Sequence, residues 1–186
     1  MKISKLSSFC TELQNEVLDG AWDEEDPQTA YETFTSLVLE SVTQEGQWPE
    51  HELSYFKQNK RGEISAWGLD DERSILYLAV TEWMNTGIQT PLPQKTVNEK
   101  LKKLHTFFNR AIDGKAEIEE GTEAGALCDF IKENAGKAFK KVELHFLTNL
   151  QPNDKVKIPE FENPELGISC DIWGLEKIAA VMSSGQ

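Results

Sequence analysis

The sequence predicts an α/β fold: a mixed β-sheet flanked by helices, with elements in the order ααββααββα. Three observations carry this prediction. Apolar residues recur at three- and four-residue spacing in five separate segments, which is the period of a helix with one buried face. Two runs, Glu63–Leu69 and Ser74–Glu82, flank the acidic turn Asp70-Asp71-Glu72-Arg73 as a β-hairpin would. The second run, Ile75-Leu76-Tyr77-Leu78-Ala79-Val80, is apolar on both faces, as expected of a central strand covered by helices on each side. The chain has 186 residues, 39% apolar and 27% charged, which suits one domain with an N-terminal helical part (1–60) and an α/β core (61–186).

Each element has its own signal. Leu6, Phe9, Cys10, Leu13 and Val17 form the first helical stripe, which ends near Gly20. Asp26 before Pro27 supplies a capping oxygen and a first-turn proline for a second helix, whose inner face is Ala30, Phe34, Leu37, Val38 and Val42, closed by Gly46. A short helical turn is expected at Glu52–Gln58, leading through Lys60-Arg61-Gly62 into the hairpin. Gly87, Pro91 and Pro93 mark Asn85–Gln94 as an irregular connection. Thr96 and Glu99 read as a capping box for a helix with Val97, Leu101, Leu104, Phe108 and Ala111 inward, ending at Gly114. Its opposite face carries a basic stripe of Lys95, Lys100, Lys102, Lys103 and Arg110. A further helix is expected over Glu123–Phe139, with Lys137, Lys140 and Lys141 matching its C-terminal dipole. Val142–Phe146 alternates as a strand ended by Leu147-Thr148-Asn149, and Ile168–Trp173 reads as another after a proline-bearing loop. Gly174 opens a closing helix that ends in Ser183-Ser184-Gly185.

Composition narrows the function classes. The chain has 32 acids against 19 bases, a net charge of −13, which repels phosphate backbones and anionic lipid. Twelve of the acids fall between Glu12 and Glu52, where there is no Lys or Arg. That stretch is a solvated face or a docking surface for a basic partner. The three cysteines, Cys10, Cys128 and Cys170, lack metal-binding or disulfide spacing and fit a reducing compartment. No run of eighteen uncharged apolar residues suggests a membrane span, so a cytoplasmic protein is expected. A protein partner or a homo-oligomer is the expected association, with nucleic acid disfavoured by charge and no membrane contact.

Dinucleotide, P-loop, serine-hydrolase and zincin motifs are all missing. His51, His105 and His145 lie far apart in sequence and read as surface or packed imidazoles, and Cys128 reads as a small buried side chain. The hairpin offers the one geometric opening, because metal-dependent nucleases place carboxylates along adjacent strands. Pairing about the Asp70–Arg73 turn puts Glu63 opposite Val80 or Glu82, while the turn aspartates lie roughly 25 Å away at the other end. Glu63 and Glu82, helped by Glu40 from the second helix, are therefore the candidate catalytic carboxylates. Lys95, Lys102 and Lys103 are the candidate substrate-binding residues. No metal or cofactor is expected unless the carboxylates serve a nuclease, which would take Mg²⁺.

Three blocks carry a family resemblance. Trp67-Gly68-Leu69-Asp70-Asp71-Glu72 followed by Ile75-Leu76-Tyr77-Leu78 and Thr81-Glu82-Trp83 is similar to the N-terminal region of the abortive-infection phage-resistance (AIPR) family of bacterial proteins. Phe146-Leu147-Thr148-Asn149 resembles that family's strand ending in a Thr-Asn pair, and Asp171-Ile172-Trp173-Gly174-Leu175-Glu176-Lys177 resembles its Ile-Trp-x-Leu-Glu/Asp block. The resemblance implies a restriction-endonuclease-like core of the PD-(D/E)xK kind at the front of a longer phage-defence protein. It also implies an aspartate where this chain has Ser65 and a D/E-x-K where Glu82 is followed by Trp83 and Met84. The expectation is a nuclease-like, catalytically degenerate domain acting in recognition or assembly. The alternatives are an active Mg²⁺-dependent endonuclease using Glu40, Glu63 and Glu82 with a lysine displaced onto the helix of Lys102 and Lys103, and a purely structural oligomerisation domain.

Overall fold

The computed structural model describes residues 3–23 and 25–184. Two helices, α1 (Ile3–Gly20) and α2 (Pro27–Gln44), precede strands β1 (His51–Gln58), β2 (Gly62–Asp70) and β3 (Ile75–Glu82). Helices α3 (Gln94–Ile112) and α4 (Glu123–Asn134), strands β4 (Lys141–Thr148) and β5 (Gly167–Trp173), and helix α5 (Leu175–Ser184) complete the order. The five strands lie side by side in chain order, with β1, β2 and β3 antiparallel and β3, β4 and β5 parallel. Among the described residues no helix is long and apolar enough to cross a membrane.

The sheet separates two apolar layers. Leu76, Leu78 and Val80 of β3 point into a core shared with α3 and α4, where Leu104, Phe107, Phe108 and Ile131 are fully buried. Tyr77 and Ala79 point the other way, into a core shared with α1, α2 and α5 through Leu13, Val17, Phe34, Leu39 and Ile178. Strand β3 is thus the covered central strand that its two-sided apolar sequence predicts. Asp26 caps α2 as expected, its side chain accepting from the Gln28 backbone N–H with Pro27 in the first turn.

Three local expectations are corrected. Glu52–Gln58 is not a helical turn but most of β1, so the element order is ααβββααββα. Its alternation is hidden because the ladder shifts register between Leu53 and Phe56, where Ser54 and Tyr55 stand against Ser65 alone. Helix α3 starts two residues before Thr96, on Pro93 and with no side-chain cap, so the Thr96–Glu99 capping box does not form. Backbone ties fix that early start: Leu92 N–H donates to the Gln151 carbonyl, and the Gln94 side chain bonds both ways to the backbone of Lys157. Helix α4 ends at Asn134 rather than Phe139, because Gly136 takes a positive φ of 77° and turns the chain so that Phe139 drops into the core. Lys137, Lys140 and Lys141 therefore do not sit on a helix end, and Lys132 occupies the last turn of α4. Gly185, expected to end the closing helix, lies outside the described residues.

One polar node crosses the second core. His145 of β4 is buried, and its Nδ1 accepts from the indole N–H of both Trp48 (3.2 Å) and Trp173 (2.8 Å). An Nδ1 that accepts twice carries no proton, so the ring proton is on Nε2, 3.1 Å from Glu143 Oε1. This bond holds the Glu143 carboxyl below its ordinary value of 4.5, against the opposing effect of its partial burial. A depressed carboxyl stabilises the fold above its unfolded pKa, and that contribution is lost as the pH falls through the folded one. Glu143→Gln is therefore expected to flatten the loss of stability on acidification below pH 4.5, measured by urea unfolding at a series of pH values.

Candidate functional site

The site forms where the open end of the β2–β3 hairpin meets α3. Gly62 begins β2 with φ +97°, and a Cβ there would stand 2.5 Å from both the Lys103 carbonyl oxygen and the Phe107 amide nitrogen. Glycine alone lets the β1–β2 turn lie on the α3 backbone, which sets Glu63 beside the helix. At the other side of the hairpin the ladder pairs Ala66 with Ala79, and continuing that register three residues sets Glu63 across from Glu82. The chain beyond Glu82 is held by Asn149, whose side chain accepts from the Met84 N–H (2.9 Å) and donates to the Met84 carbonyl (2.7 Å). Thr148 and Asn149, both buried, thus clamp the segment carrying Glu82.

Lys100 joins the two carboxylates. Its Nζ lies 2.8 Å from Glu63 Oε2, 3.1 Å from Glu82 Oε2 and 2.9 Å from the Thr81 carbonyl oxygen, so all three ammonium protons have an acceptor. Glu63 is fully buried, Lys100 nearly so, and Glu82 keeps 34% of its side chain exposed. From the opposite layer Tyr31 of α2 donates to Glu63 Oε2 at 3.2 Å and shares a short hydrogen bond with Ser65 Oγ. Burial first, then the Glu63 charge, push the Tyr31 phenol far above its ordinary value, so it remains a neutral donor. Deeper under α2 the hydroxyls of Thr35 and Thr81 bond to each other at 2.9 Å.

The structure brings Glu63 and Glu82 together and leaves Glu40 apart. Glu40 is exposed on α2, where its charge acts on His51. His51 pairs with Gly68, five positions or about 17 Å along β2 from Glu63. Of the predicted basic residues, Lys95 pairs with Glu99, and neither Lys102 nor Lys103 reaches the carboxylates. Lys100, assigned by sequence to the outer stripe, points inward instead. The signal was present: Lys100 follows Val97 by three and precedes Leu104 by four, which places it on the buried face of α3. Asp70 stays at the far turn, paired with Arg73. The Cys128 thiol is buried and pushed up to about 11 by that burial and by Asp129.

A nuclease of the kind the resemblance implies would hold Mg²⁺ here. Glu63 Oε1 is buried with no hydrogen-bond partner among the described residues, which favours a cation. Two observations oppose it. No group of three His, Cys, Asp or Glu side chains among the described residues could hold a metal ion. The gap between the carboxylates is also filled by an ammonium at 2.8 and 3.1 Å, whereas Mg²⁺ requires about 2.0–2.1 Å to each oxygen. In this arrangement the residues do not fit the ion.

A family model for the abortive infection phage resistance protein N-terminal domain matches residues 34–179. The chain belongs to this family. No curated protein and no solved structure matches it. The matched segment of this AIPR N-terminal domain contains Glu63, Glu82, Lys100 and Asn149, whereas Tyr31 precedes it.

The ion pair is testable as a coupled unit. Lys100→Met strands a buried carboxylate and is expected to cost about 3–5 kcal/mol in urea unfolding at neutral pH. In a Glu63→Gln background the same change should cost about 1–3 kcal/mol less, and additive costs would show that the two groups are not coupled.

Proposed function

We propose that this AIPR N-terminal domain is the nuclease-like, catalytically degenerate part of a bacterial phage-defence protein, acting in recognition or assembly in the cytoplasm. A sheet covered on both sides by helices, with two carboxylates and a lysine gathered at one end of a hairpin, supports a restriction-endonuclease-like core of the PD-(D/E)xK kind. The observation that carries the degenerate reading is the state of Lys100. A lysine that orients an attacking water needs a free donor, and here all three are spent on Glu63, Glu82 and the Thr81 carbonyl. Glu63 has no exposed surface to offer a phosphodiester, and Ser65, where the family resemblance implies an aspartate, is bound to Tyr31.

Charge supports a protein partner. Glu12, Glu16, Asp19, Glu25, Glu40 and Glu45 are all exposed on or beside α1 and α2, a surface that attracts a basic protein patch and repels a phosphate backbone.

A second reading, an active Mg²⁺-dependent endonuclease, is favoured by one observation: α3 does deliver a lysine to the two carboxylates. Incubating the chain with plasmid, phage DNA and RNA in Mg²⁺ or Mn²⁺ separates the two. The expected result is no cleavage above a Glu63→Gln/Glu82→Gln control. Cleavage that this double variant abolishes would establish the enzyme instead.

A further inference from the structure

We infer that Lys100 is the site's own cation: its ammonium stands in the position a divalent ion would take between Glu63 and Glu82, and its removal would convert the pair into a site for a hard divalent cation. The inference rests on the nuclease-like reading of the same residues and concerns how that site is kept shut.

The geometry is that of an internal counter-ion. Three oxygens from three different residues surround Nζ at 2.8 to 3.1 Å, which matches the three donors of an ammonium and is too long for a small divalent ion. Burial makes the cation obligatory, since an ionised carboxylate without exposed surface, as at Glu63, is strongly disfavoured unless a positive charge accompanies it. The unpartnered Glu63 Oε1 marks what the ammonium leaves undone: a point charge with three protons serves one oxygen of that carboxylate and cannot reach the second. A divalent ion with open coordination positions would engage both. Glu82, one-third exposed, is the route by which an ion and its waters would enter.

Tyr31 completes the closure from the other layer. Its hydroxyl holds the same Glu63 oxygen that Lys100 holds, and its ring lies 6.0 Å from Nζ, so the carboxylate is fixed toward the ammonium from both sides of the sheet. Closure therefore ties α2, the hairpin and α3 at one point, and shifting either helix would loosen the pair.

The test is Mn²⁺ binding to the full chain, read by the electron paramagnetic resonance of free Mn²⁺ and by the melting temperature. Wild type is expected to bind no Mn²⁺ at this site and to melt at an unchanged temperature. Lys100→Met is expected to bind one Mn²⁺ at least about tenfold more tightly than wild type and to melt higher as Mn²⁺ is added. Lys100→Arg, which keeps the positive charge, should behave as wild type, and adding Glu63→Gln to Lys100→Met should abolish the gain. If Lys100→Met folds only with Mn²⁺, the gain is seen as recovery of the melting transition. If it does not fold at all, Lys100→Gln, which keeps a donor toward Glu63, replaces it with the same expectation. Equal Mn²⁺ affinity in wild type and Lys100→Met, or no gain in either neutral variant, would overturn the inference. Nucleic-acid cleavage by wild type would instead overturn the recognition reading, and that outcome is read independently of Mn²⁺ affinity in the variants.

Discussion

A buried ammonium between two carboxylates is the constraint on which the rest of this end of the molecule depends. Charges of this kind are expensive to remove from water, and the expense is offset only when every donor finds an oxygen at close range. Lys100 meets that condition with Glu63, Glu82 and the Thr81 carbonyl. The requirement then propagates outward. Glycine at 62 is needed so that β2 starts against the α3 backbone, and Asn149 is needed so that the chain leaving β3 keeps Glu82 within reach of the helix. Each of these residues acts on backbone position, and together they set where the two carboxylates stand relative to α3.

The proposed function rests on the same arrangement. A cleft that hydrolyses phosphodiesters has to present its carboxylates to solvent and substrate, whereas here the central carboxylate is covered from one layer by Tyr31 and neutralised from the other by Lys100. Glu12, Glu16 and Asp19 on α1 and Glu40 on α2, by contrast, are exposed. Under the proposed reading, association falls to the outer surface of the domain and not to this covered carboxylate. The His145 node contributes differently: two indoles and a carboxylate around one imidazole hold the segment before β1, β4 and β5 in register on the opposite core.

Much of the frame was legible from pattern alone. The two-sided apolar run Ile75–Val80 identified the central strand, and the acidic turn set a hairpin register that brought Glu63 near Glu82 and kept Asp70 and Asp71 away. The residue pair Asp26-Pro27 marked the start of α2 because its signal is local. What escaped depended on contacts between distant residues. Strand β1 was hidden by a register shift that breaks its alternation, and the false capping box at Thr96 lost to backbone ties made with Gln151 and Lys157. The His145 node joins Trp48 and Trp173, which are 97 and 28 residues away in the chain, so no local pattern reveals it. Lys100 was legible in principle: its helical spacing set it on the buried face, but its charge argued for the outer one. A lysine on an apolar stripe signals a buried acid opposite, which here is Glu63.

The most direct measurement is a crystal structure grown in Mn²⁺, with anomalous scattering recorded at the metal edge. The account predicts no anomalous peak between Glu63 and Glu82 and the Lys100 Nζ within hydrogen-bonding distance of both. An anomalous peak at that position, with the Lys100 side chain swung away from Glu63, would contradict it.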